Sequence, residues 1–298
     1  MLNIPLSVNK KLDSAKSILI VGAGGDQNIL CGIPLYYTFL KQGKNVHLAN
    51  LTHTDLKNIH QHADPIVLEP NVLGANSIIK LPSQNYVEGY LSQFFKETLN
   101  QDKIVWMLNK TNVQDLKKAF EKLIAHLEVD AIVLVDGGID SIMTGNEGRE
   151  ILTKNFVDTT LILAVIQQME EIQNNCFFVC LNENLIDQMV INNILSNISV
   201  QGGFFGGSYM VNYMSSYKLM KSAYSYLKNS NNVSDKLEYL IKLTDLDYEE
   251  GELKNGLIQF LFFNPIALAY NNIIIHKIQD NISYYDIVQN IGPYLNKS

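Results

Sequence analysis

Two continuous apolar runs, each closed by glycine and aspartate, constrain the fold of this chain more than any other feature. Ser17 to Gly24 reads SILIVGAG and leads into GDQN, while Ala131 to Val135 reads AIVLV and leads into DGGIDS. An apolar run of this length bounded by turn residues suits a strand better than a buried helix, and apolar residues at every position mean burial on both faces. A strand buried on both faces needs helices above and below it, which is the layering of an α/β sheet.

The rest of the chain supplies those helices. Ile29 to Lys41 carries apolar residues at helical spacing, Val46 to Leu51 and Ile104 to Leu108 read as strands, and Lys110 to Glu128 as an amphipathic helix with Thr111 or Asn112 as N-cap. Phe156 to Ile172 is again helical in period, Cys176 to Leu181 is a strand and Leu185 to Leu195 a helix. Strands alternating with helices predict a doubly wound, mainly parallel, Rossmann-like sheet over residues 1–200. Beyond it, Tyr209 to Leu227 and Val233 to Leu243 read as helices, Gly256 to Phe263 as a late strand and Tyr284 to Asn290 as a terminal helix. Residues 201–298 are therefore expected to be a mostly helical extension packed on the core, or its continuation in one domain. Thr52 to Asp102, broken by Pro65, Pro70 and Pro82, is expected to be a loop-rich insertion.

Composition narrows the function classes. Hydrophobic residues make up 47% of the 298 and charged residues 18%, which excludes a disordered chain. Lys plus Arg number 23 against 30 Asp plus Glu, a net charge of −7, which argues against a broad nucleic-acid surface. MLNIPLSVNKKLDSAKS lacks a signal-peptide core, and the longest apolar stretches fall short of the ~18 residues that a membrane span requires. A cytoplasmic protein without membrane association is the expectation, with self-association left open. Cys31, Cys176 and Cys180 are expected to be buried thiols rather than zinc ligands, because no Cys/His set at ligand spacing accompanies them.

Three glycine clusters are the candidates for chemistry. In VGAGGDQN, Gly22, Gly24, Gly25 and Asp26 sit at a strand-to-helix turn, where a backbone free of side chains can approach a phosphate or carboxylate. Gln27 stands where the dinucleotide fingerprint needs its third glycine, and the second strand ends in Asn50, Leu51 and Thr52 without an acid; both count against NAD or FAD. In DGGIDS, Asp136, Gly137, Gly138, Asp140 and Ser141 follow a buried strand, either as a ligand turn or as a turn whose aspartates cap helix ends. The string resembles the S-G-G-x-D-S pyrophosphate loop of ATP-pyrophosphatases, with Asp136 replacing the first serine. TGNEGRE adds Glu147 and Arg149, the chain's single arginine, able to clamp an anion in bidentate fashion. Asp158 is either a first-turn acid favoured by the helix dipole or a further ligand. In QGGFFGGS, Gly202, Gly203, Phe204 and Phe205 suggest a loop whose aromatics cover a ring-bearing ligand. Neither a nucleophile elbow nor a Walker motif is present.

With strand order 3-2-1-4-5, the turns after the first and fourth strands adjoin at the switch point, where open α/β sheets bind ligands. Asp26, Asp136 and Asp140 would then be the catalytic acids or the ligands of a Mg²⁺ ion. GAGGD, VLVDGGIDS followed by MTGNEG, GGFFGG and FLFFNPIAL together resemble the bacterial and archaeal family named domain of unknown function 1152, over nearly the whole chain. By that resemblance Gly24, Gly25 and Asp26 match the first motif. Asp136, Gly137, Gly138, Asp140, Gly145 and Glu147 match the second, and Gly202, Gly203, Gly206 and Gly207 the third. The resemblance implies a Rossmann-type α/β fold and carries no established activity. The residues themselves point to a hydrolase or transferase acting on a small nucleotide-like or phosphorylated metabolite with Mg²⁺. The alternatives are a non-catalytic nucleotide sensor and an amide or N-glycosidic hydrolase using the aspartates.

Overall fold

The computed structural model describes residues 1–24, 27–80, 86–145, 154–182, 188–230, 238, 241, 257–275, 278 and 282–295. After α1 (Leu6–Leu12), β1 (Ser17–Gly22) is buried at all six positions. Its side chains alternate as strand geometry dictates: Ile18 and Ile20 enter the core on one face of the sheet, Leu19 and Val21 the core on the other. The helix expected over Ile29 to Lys41 is two, α2 (Asn28–Cys31) and α3 (Ile33–Lys41), with Gly32 between them. A Cβ on Gly32 would stand 2.8 Å from Ile20 Cγ2, so a glycine lets the backbone lie directly on β1.

β2 (Asn45–Leu51) pairs parallel with β1. Among its described residues the region expected to be loop-rich holds a short helix, α4 (Ile59–His62), an antiparallel hairpin of β3 (Ile66–Glu69) and β4 (Val72–Ala75), and the 13-residue α5 (Val87–Leu99), while Pro82 lies outside the described residues. Pro65 and Pro70 fall at the edges of β3, where a missing N–H does no harm, and so punctuate the segment without preventing structure. β5 (Val105–Leu108) follows, then α6 (Val113–Leu127), whose N-cap is Asn112; its Oδ1 accepts from the Asp115 amide at 2.8 Å. β6 (Ala131–Asp136), α7 (Lys154–Gln167), β7 (Cys176–Asn182) and α8 (Gln188–Val200) complete the expected alternation.

Beyond residue 200 two strands join the sheet among the helices, one of them the late strand expected at Gly256 to Phe263 and the other not expected. Gly202 and Gly203 lead into a strand, β8 (Phe204–Val211), and the helix expected from Tyr209 begins later as α9 (Ser215–Asn229). β9 (Leu257–Phe263) inserts between β7 and β8 and pairs antiparallel with both. The helices Pro265–Asn271 and Tyr284–Leu295 follow. Four glycines and a bulge between Phe204 and Gly206 hide the period-2 pattern of β8 in the sequence. The expected Val233 to Leu243 helix falls almost wholly outside the described residues.

One nine-stranded mixed sheet results, in the order β3-β4-β5-β2-β1-β6-β7-β9-β8. Its parallel centre, β5-β2-β1-β6-β7, has the third, second, first, fourth and fifth parallel strands side by side. α2, α3, α5 and α9 bury their apolar sides on one face; α6, α7, α8 and the helix Pro265–Asn271 do so on the other. Among the described residues no helix is long and apolar enough to cross a membrane, and all three cysteines are buried thiols outside any disulfide.

Candidate functional site

Chain direction fixes where a crevice opens. From β1 the chain turns to the face carrying α2 and α3, and from β6 to the face carrying α7, so the carboxyl ends of β1 and β6 part at the switch point. Around this point the first two glycine clusters meet. The Ala23 amide donates to the Val135 carbonyl at 2.8 Å. Asn28, the first residue of α2, reaches across: its Oδ1 accepts from the Gly137 amide at 2.9 Å.

The glycines are required by this approach. A Cβ on Gly24 would lie 2.0 Å from Asn28 Nδ2 and 2.9 Å from Asp136 Oδ1, and one on Gly137 would lie 2.5 Å from Asn28 Oδ1. Gly22 has the same constraint on its other side, where a Cβ would stand 2.2 Å from Asn50 Oδ1. Asn28 is 8% exposed, and its Nδ2 is buried with no hydrogen-bond partner among the described residues. A buried amide donor without a hydrogen bond costs about 1–3 kcal/mol, so Nδ2 is the group here with most to gain from an acceptor oxygen.

Asp136 is wholly buried, and its carboxylate closes the turn on itself: Oδ1 accepts from the Gly138 amide at 3.1 Å and Oδ2 from the Ser141 amide at 3.0 Å. Ser141 Oγ in turn lies 2.8 Å from Cys180 Sγ. This is the capping arrangement rather than that of a carboxylate open to a substrate, because both oxygens are engaged by backbone and neither meets solvent. Asp140 lies in a 3-10 turn, Asp140–Ile142. The side chain of Asp140, and the whole of Gly25, Asp26, Glu147 and Arg149, lie outside the described residues. Among the described residues no three His, Cys, Asp or Glu side chains are grouped to hold a metal. A cation at this crevice would depend on Asp26, Asp140 or Glu147, or on oxygens that a ligand brings.

Gly202, Gly203 and Phe204 are not brought to the crevice. Phe204 faces Phe263, which faces Phe178, which faces Leu134, two residues short of Asp136. Three strand spacings put Phe204 roughly 14 Å across the sheet from β6. Its ring packs on Phe263 at 5.2 Å between centroids, and Gly203 packs against Ala267 and Ile198, which is core packing.

A second group of polar residues, which the sequence motifs do not contain, lines the same edge at the ends of β2 and β5. Asn50 at the end of β2 is buried, and its Nδ2 donates at 2.7 Å to Glu88 of α5, itself 1% exposed. Burial pushes the Glu88 carboxyl up, and the bonds from Asn50 and Thr52 hold it down only in part. On the other face, Lys110, just past β5, places Nζ 2.7 Å from Oδ2 of Asp158. Asp158 in α7 is 1% exposed and also accepts from the Tyr284 hydroxyl at 2.6 Å. Lys110 Nζ lies 2.6 Å from His53 Nε2 and 5.4 Å from the centre of the Tyr284 ring. Burial and the Asp158 charge push the Tyr284 phenol up, so it stays a donor. Asp158 is therefore the anchor of an ion pair. His53 and Lys110 sit just past strand ends, the positions where α/β sheets carry function; that placement was the available signal, and four residues so far apart in sequence made it faint.

At the opposite, amino edge of the sheet a groove of about 680 Å³ runs between α6 and the end of α7, lined by Lys117, Glu121, Glu170 and Glu171 over Ile124, Met169 and Ile172. It contains none of the residues above. Compared with known proteins, the chain matches no family model, no curated protein and no solved structure.

Proposed function

We propose that this chain is an enzyme, a hydrolase or transferase, that binds a small nucleotide-like or phosphorylated metabolite at the switch point of a Rossmann-like sheet, and that it belongs with the family named domain of unknown function 1152. The single observation that carries the site is the buried Asn28 Nδ2, held between Gly24 and the β6 turn with no described partner. A phosphate or carboxylate oxygen reaching past Gly24 would supply the acceptor. In this reading Asp136 is the organiser of the turn: by binding the Gly138 and Ser141 amides it fixes the segment that Asn28 grips at Gly137. Asp26 and Asp140 are the carboxylates that would hold a Mg²⁺ ion, which would supply positive charge to the ligand's phosphates.

The test is a thermal-shift comparison of the wild type with Asn28→Asp, using inorganic phosphate, AMP, ADP and ATP with and without Mg²⁺. Aspartate keeps an oxygen for the Gly137 amide and replaces the donor by a negative charge. A probe at a hundred times its Kd stabilises by about 2.7 kcal/mol. The wild type should gain that stabilisation and Asn28→Asp should lose it. Equal shifts in both proteins, or no shift with any probe, would overturn the reading. Binding without turnover of ADP or ATP by the intact, Mg²⁺-supplied protein would reassign it as a sensor.

A further inference from the structure

Resting on the reading of this edge as a small-molecule site, we propose that His53 is its second ligand-facing group: a neutral imidazole whose Nδ1–H donates to an oxygen of the bound metabolite, with Lys110 as the positioning residue that sets this tautomer. The chemistry follows from the contacts. An ammonium has donors and no acceptor, so Lys110 Nζ at 2.6 Å from His53 Nε2 requires a lone pair on that nitrogen and leaves the ring proton on Nδ1. Lys110 is kept charged and in place by Asp158, since a carboxylate only 1% exposed needs a cation beside it. Tyr284 secures the other oxygen of Asp158 and covers the ammonium with its ring. Three of the four residues are thus tied to one another at 10% side-chain exposure or less or through the buried carboxylate, while His53 is 41% exposed.

His53 Nε2 also lies 3.5 Å from Asp158 Oδ2, but two N–H groups cannot point at each other, so a protonated Nε2 is incompatible with the shorter Lys110 contact. His53 lies two residues past β2, at the same carboxyl edge of the sheet as the first site. β2 lies next to β1, and Asn50, three residues before His53, packs against Gly22. In this proposal one small molecule spans this edge, meeting Asn28 at one end and His53 at the other. A neutral donor polarises a carbonyl or phosphoryl oxygen without giving up its proton, so this role needs no base to reset it.

The experiment is nitrogen-15 NMR of the histidine rings and side-chain amides in the full chain, titrated with inorganic phosphate and with AMP. The wild type should show His53 as the Nδ1–H tautomer. Lys110→Met should release it to the Nε2–H form, and Lys110→Arg, which keeps a cation, should retain Nδ1–H. AMP or phosphate should move the His53 ring and the Asn28 side-chain amide with one dissociation constant, and His53→Gln should weaken that affinity about tenfold. An Nε2–H tautomer in the wild type overturns the proposal even if Lys110→Met fails to fold. Movement of Asn28 without His53 also overturns it and leaves the crevice reading standing, whereas movement of neither overturns both.

Discussion

Lys110→Met is the substitution whose consequence the structure defines most sharply. Lys110 is 10% exposed along its side chain and Asp158 1%, at 2.7 Å, so the pair is buried rather than a surface bridge. Removing the ammonium leaves a carboxylate in the interior whose remaining donors among the described residues are neutral, the Tyr284 hydroxyl and the His53 ring once its proton moves to Nε2. Breaking a buried pair from one side costs about 3–5 kcal/mol. The exposed His53 beside it admits water, which favours the lower end. At about 2–4 °C per kcal/mol the melting point should fall by roughly 6–12 °C. Asp158→Asn removes the stranded charge while keeping an acceptor for Tyr284, so the Lys110→Met, Asp158→Asn double variant should recover about 2 kcal/mol relative to Lys110→Met alone. Calorimetry and urea unfolding at neutral pH, each in low and high salt, would measure the cycle, and high salt should change it little because buried pairs are poorly screened. A loss below about 1 kcal/mol for Lys110→Met, or a double variant no more stable than the worse single one, would refute the buried-pair reasoning.

Other expectations follow from the same geometry. Gly24→Ala, whose Cβ would stand 2.0 Å from Asn28 Nδ2, should abolish the thermal shift given by phosphate ligands while destabilising the unliganded protein by about 1–3 kcal/mol. Burial, Lys103 and His126 depress His47 from 6.5 to about 4. A histidine kept neutral in the folded state contributes stability that is lost as pH falls from about 6.5 to about 4, since the unfolded chain takes up the proton first. Because His47 is only partly buried, about 2 kcal/mol should be lost across that window, and His47→Gln should flatten it. Glu88 has the opposite sign. Its folded carboxyl is raised, so the stability it contributes in acid is lost as pH rises above the ordinary carboxylate value, and Glu88→Gln should be the more stable protein at pH 8, with the gap closing near about pH 4. A gap that widens in acid would show that Glu88 is ionised in the folded protein.

The local pattern of apolar runs and helical periods determined the parallel centre of the sheet. β1, β2, β5, β6 and β7 all stand within a residue or two of where the sequence puts them, because short runs that are mostly apolar on both faces and bounded by turn residues suit strands buried in a parallel sheet. Of the candidate site, the meeting of the Gly24 and Asp136 turns was legible once strand order was assumed. Tertiary structure decided what the turns do there. In sequence Asp136 stood open between a ligand turn and a capping turn; its oxygens go to the Gly138 and Ser141 amides, and the buried donor without a described partner belongs to Asn28, which has no motif of its own. Phe204 looked like a lid and is instead a half-buried sheet residue packed on Phe263, because the partner strand that defines β8 lies more than forty residues further on, in β9. The Lys110, His53, Asp158 and Tyr284 cluster illustrates the same limit: hydrogen bonds and charge pairs act over about 3 Å in space, while these residues share no spacing along the chain, and only the folding of four segments onto one edge of the sheet brings them together.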